Sequence, residues 1–89
     1  MGTAFTIAGL AYEFEPEEPW ESFHLEDAAM IAASIGLYPP DIGSMRARGM
    51  LGRIDALLSH TPEQPLRSCL ERLRRVVIAA GELGVIRWS

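Results

Sequence analysis

At 89 residues the chain is the size of one small domain, which buries only about 60–65% of its unfolded surface, so association with another chain would add to a modest core. A composition of 48% hydrophobic and 22% charged residues excludes intrinsic disorder, and the single Cys69 excludes an intramolecular disulfide. The charge is split along the sequence: residues 1–45 carry eight carboxylates and no Lys or Arg, whereas residues 46–89 carry all eight Arg against four carboxylates.

The absence of Lys and Asn, both of which use A-rich codons, points to a GC-rich bacterial or phage genome. No apolar run approaches the roughly 18 residues of a membrane span, and no basic stretch opens a secretory signal. With the unpaired cysteine, this gives a cytoplasmic protein with no membrane role as the expectation.

Thr3 to Glu15 reads as β-structure. Phe5 and Ile7 alternate in one phase, Leu10, Tyr12 and Phe14 in the other, and the change at Ala8-Gly9 predicts one bulged strand or a hairpin. Pro16 to Ser22 reads as a connecting loop, because Pro16 and Pro19 each remove a ladder donor. A first helix follows from His24 to Ile35, with Leu25, Ala28, Ile31, Ala32 and Ile35 on one face and a stop at Gly36. Tyr38 to Asp41 is a stiff linker.

The second helix is expected to begin near Asp41 or Ser44 and to run to Ser59, burying Ala47, Met50, Leu51, Ile54, Leu57 and Leu58. Its opposite side presents Gly49, Gly52 and Ala56 instead of charges. Interior glycines cost about 1 kcal/mol each relative to Ala, so this strip is expected to lie against the Ala-rich first helix, or else against a second copy or partner. Thr61-Pro62-Glu63-Gln64 has the form of a capping box. It opens a third helix with Leu66, Cys69, Leu70, Leu73, Val76, Val77 and Ala80 on one stripe and Gly84 as the stop. Val85 to Trp88 is a short terminal strand, whose natural partner is the N-terminal one.

The expected fold over residues 1–89 is α+β: three helices packed on a small antiparallel sheet formed by the N-terminal strand or hairpin and the C-terminal strand. A three-helix bundle with extended ends is the alternative.

Catalytic chemistry finds little support in these residues. His24 and His60 stand alone at helix boundaries, and His24, Glu26 and Asp27 lack a metal-binding spacing. No strand is expected before Gly43, Gly49 and Gly52, and no Lys-Ser/Thr pair follows them, which rules out a phosphate-binding P-loop. Enzyme activity, cofactors and metals are therefore not expected. Direct nucleic-acid binding is disfavoured as well, since Arg67, Arg72, Arg74 and Arg75 spread around the third helix and Glu71 is spaced to pair with Arg75.

The candidate surface is instead Glu13 to Asp27, where Glu13, Glu15, Glu17, Glu18, Glu21, Glu26 and Asp27 surround Trp20 and Phe23 with no intervening base. Carboxylates steer a basic partner, and an aromatic anchors it or stacks on guanidinium. This predicts a small acidic non-catalytic protein that covers a basic, nucleic-acid- or phosphate-binding surface of a larger protein. Immunity proteins, antitoxins and phage-encoded inhibitors of bacterial defence complexes are analogous in size and charge. The alternative is a small dimeric DNA-binding regulator that reads DNA through the first two helices, and a homodimer is compatible with either.

Overall fold

In the computed structural model, which describes residues 2–7, 20–38 and 42–89, the chain forms strands and helices in the order β-β-α-β-α-α-β. Strands β1 (Gly2–Ile7), β2 (Glu21–His24), β3 (Gly43–Arg46) and β4 (Val85–Trp88) make one open antiparallel sheet, ordered β2-β1-β4-β3. Helices α1 (Leu25–Ile35), α2 (Ala47–Leu58) and α3 (Leu66–Ala80) complete an α+β fold. The first and last strands pair as expected, with Phe5 opposite Trp88 and Ile7 opposite Ile86.

Paired residues in a sheet point to the same side, so the register sorts side chains into two faces. Phe5, Ile7, Phe23, Ile86 and Trp88 share the inner face and are buried. Ser22, His24, Ser44, Arg46 and Arg87 share the outer face and are exposed. Phe5 stands between Phe23, which it meets edge-on at 5.7 Å, and Trp88 at 6.2 Å. The helices close this core with their periodic stripes: Ala28, Ile31, Ala32 and Ile35 from α1, Ala47, Met50 and Ile54 from α2, and Cys69, Leu70, Leu73, Val76 and Val77 from α3.

Several expectations need correction. The sheet gains two strands that were not expected, because Glu21–His24 pairs with β1 where the Pro16 to Ser22 loop was to end and the first helix to begin at His24, and Gly43–Arg46 pairs with β4 where the second helix was expected to begin. Both are four-residue edge strands, too short for alternation to announce them. Helix α3 starts at Leu66 and ends before Gly81, so the Thr61 to Gln64 capping box does not form. Thr61 takes φ 45°, and Gln64 Oε1 accepts from the Ser68 N–H and hydroxyl at 3.0 and 2.6 Å. Leu25, placed by periodicity on the buried face of α1, is the first helical residue and is exposed. The choice between a bulge and a hairpin at Ala8-Gly9 lies outside the described residues.

The Gly49, Gly52 and Ala56 strip is also exposed, and a Cβ on Gly52 would meet nothing within 4 Å. Contact between α1 and α2 is made differently. Arg53 Nη1 donates to the carbonyls of Ile35 at 2.9 Å and Gly36 at 3.2 Å, placing a cation on the carbonyl end of α1. Gly36 there takes φ 72°, and its N–H caps Ala32 O.

Candidate interaction surface

Within the predicted acidic surface the structure separates residues that hold the fold from residues left to solvent. Glu13, Glu15, Glu17 and Glu18 lie outside the described residues. Trp20, just ahead of β2, is 54% exposed, so it does not cover the core. Phe23 is instead a core residue, 3% exposed. Glu26 is exposed in the first turn of α1, where the helix dipole favours a carboxylate, and Asp27 beside it is half-buried.

Glu21 is not an unpaired carboxylate. Opposite Phe5 in the register, it lies on the inner face of an edge strand and reaches α3. Arg72 donates to Glu21 Oε2 through Nη2 at 2.7 Å and Nε at 3.1 Å, and Arg75 Nη2 approaches Oε1 at 3.3 Å. Arg72 also donates to Ser22 O at 3.2 Å and lies 4.6 Å over the Phe23 ring. One guanidinium thus fastens β2 to α3 by a two-point ion pair, a backbone bond and a cation–π contact. Its hydrogen bond to Glu21 outweighs desolvation and holds Arg72 more firmly protonated than an ordinary arginine.

The other cations fall into two groups. Arg74 is bound to Asp55 at 2.6 Å, which raises its pKa, and Arg75 reaches Glu21, not the predicted Glu71. Arg46 and Arg87 stand on the outer sheet face and Arg48 in the first turn of α2; no ion pair joins these three to a described carboxylate. Sequence reading gave Arg46 and Arg48 a role only in the DNA-binding alternative and overlooked Arg87. The signal was present in Val85-Ile86-Arg87-Trp88, where alternation turns Arg87 away from the side that buries Ile86 and Trp88.

Chemistry beyond binding finds few groups to work with. Cys69 is buried, and its thiol pKa is raised mainly by that burial and further by Asp27, with Arg72 opposing, so the thiol stays protonated. Among the described residues no three His, Cys, Asp or Glu side chains come together to hold a metal, and no helix is long and apolar enough to cross a membrane. A cleft of about 230 Å³ between α2 and α3 is lined by Leu51, Val77 and the half-exposed Ile78, with Arg48 and Glu82 among its polar residues. Strand β3 stands between α1 and α2, so these helices are not joined by the short turn of a helix-turn-helix. Searches against protein-family models, curated proteins and solved structures found no match to this chain.

Proposed function

We propose that the chain is a small non-catalytic binding protein that covers a basic, nucleic-acid- or phosphate-binding surface of a larger protein with its acidic N-terminal half. The observation that carries this reading is Trp20: the core takes Phe23 and leaves an indole more than half exposed in the most acidic part of the sequence. An exposed Trp costs solubility unless a partner covers it, and Trp is the residue type most enriched among interface anchors. Glu13, Glu15, Glu17, Glu18, Glu26 and Asp27 would steer a guanidinium-rich surface toward it, while Glu21 and Phe23 hold the strand beside it in place.

The test uses an Arg-rich peptide carrying a labelled oligonucleotide. Added protein is expected to displace the oligonucleotide, with the effect fading at high salt. Trp20→Ala should weaken this by about thirtyfold, the equivalent of a 2 kcal/mol anchor, while leaving the melting temperature unchanged. Equal displacement by Trp20→Ala would remove the anchor from the proposal.

A further inference from the structure

A second surface lies at the opposite edge of the sheet. Strand β3 ends the order β2-β1-β4-β3, and among the described residues no strand lies beyond it. The ladder with β4 sets which of its backbone groups are free. Ala47 N donates to Gly84 O at 2.9 Å, and in an antiparallel pair the bonded residues alternate. Met45 and Gly43, opposite Ile86 and Trp88, therefore bond to β4, which leaves the Ser44 N–H and carbonyl and the Arg46 N–H directed outward. Of the devices that commonly guard an edge strand, Gly43-Ser44-Met45-Arg46 has shortness and the charge of Arg46, but no proline, bulge or inward-pointing charge.

Among the described residues, the charge on the outer face beside this edge is of one sign. Arg46 on β3 and Arg87 on β4 occupy the same exposed face, diagonal to each other across the Ser44–Arg87 and Arg46–Val85 pairs. Diagonal neighbours of this kind stand about 7–8 Å apart, slightly more than the spacing of about 6.6–6.8 Å between alternate side chains of one extended strand. No described carboxylate occupies this face. Ile42, exposed and two residues before Ser44, adds an apolar contact on the same line.

We propose that the outer edge of β3 docks an extended acidic segment of a partner protein, which joins the sheet as its fifth strand. Main-chain bonds to Ser44 and Arg46 supply the attachment, and carboxylates at alternate positions select for it by meeting Arg46 and Arg87. A nucleic acid fits less well. The only aromatic ring on the described outer face is His24, on β2 at the far edge, and two cations are few for holding a backbone by phosphate contacts alone.

The probe is a fluorescent peptide of alternating Glu and Val, about six residues long, read by anisotropy against the intact chain. Saturable binding is expected, weakened about tenfold by Arg46→Glu or Arg87→Glu, each exposed and outside the core. Ser44→Pro is the deciding variant, since it removes an outward N–H without touching the β4 ladder. It should abolish binding while Ser44→Ala does not, with buried Trp88 emission confirming that the fold is kept. Three results would overturn the proposal: equal binding of an alternating Lys and Val peptide, tighter binding of an oligonucleotide that is indifferent to Ser44→Pro, or a wild-type dimer that Ser44→Pro converts to monomer. The last would assign the edge to a second copy of the chain.

Discussion

Two glycines in one short stretch should respond to alanine with opposite signs, and the reason is visible in what each new Cβ would meet. At Gly43 it would stand 2.6 Å from Trp88 Cζ2 and 2.9 Å from Cε2, closer than real carbon contacts allow. Trp88 cannot yield freely, because it is 3% exposed and packed against Phe5. Overpacking of this kind costs about 1–3 kcal/mol. At Gly52, on α2, the Cβ enters open space and restricts only the unfolded chain, so Gly52→Ala should gain about 1 kcal/mol. For a chain of this length 1 kcal/mol moves the melting temperature by about 4–8 °C, so the two variants should differ by about 10 °C or more. The assay is thermal unfolding followed by Trp88 emission, in a Trp20→Phe background that leaves only the buried indole. Equal stability of Gly43→Ala and its parent would refute the described contact between β3 and Trp88. Destabilisation by Gly52→Ala that deepens at higher protein concentration would mean that a second copy covers the strip.

Arg72→Met removes the two bonds to Glu21, the bond to Ser22 O and the contact over Phe23 at once. Because solvent screens the guanidinium, a loss of about 1–2 kcal/mol is expected, and hydrogen exchange should show β2 opening before β1; a variant as stable as wild type would make the clasp ornamental. Acrylamide should quench Trp20 and spare Trp88, so Trp20→Phe should leave a nearly unquenchable protein, and strong residual quenching would contradict the burial of Trp88. The Cys69 thiol is raised in the folded state, so over the range above its unfolded pKa of about 8.5 the native chain binds the extra proton. Stability should then fall as pH rises through that range and be unaffected below it. Cys69→Ala should show a shallower alkaline decline, and identical declines would assign the effect to other groups.

How far the fold could be read depended on how many residues carried each signal. Helix α3 buries Cys69, Leu70, Leu73, Val76 and Val77 on the predicted stripe, since five positions at helical spacing fit no other structure. Strand β4 was legible from Ile86 and Trp88 together with the need of a short apolar run for a partner. Strands β2 and β3 were not legible, because in each the inner face holds only two residues and one of those is polar or absent: Glu21 beside Phe23, and Gly43 beside Met45. The capping box failed for a related reason. A four-residue pattern describes which bonds are possible, and Gln64 has a competing donor pair in Ser68 within the helix.

The candidate surface shows the same limit in electrostatic form. Counting charge along the sequence made Glu21 one of seven unopposed carboxylates, yet its partner Arg72 lies 51 residues away and is reached only because β2 and α3 share a core. A carboxylate so paired offers little charge to a partner, so in the proposed role the acidic half relies on residues that the fold leaves alone. Among those described, Glu26 is exposed, and Trp20 stands free at the strand's entry. The opposite half behaves in mirror image. Arg53, Arg72, Arg74 and Arg75 are occupied within the chain, and no described carboxylate pairs with Arg46, Arg48, Arg67 or Arg87, of which Arg46 and Arg87 share the outer face beside one sheet edge. Internal pairing thus reduces the charge split, among the described residues, to an exposed aromatic beside β2 and cations beside β3, at the two edges of one sheet.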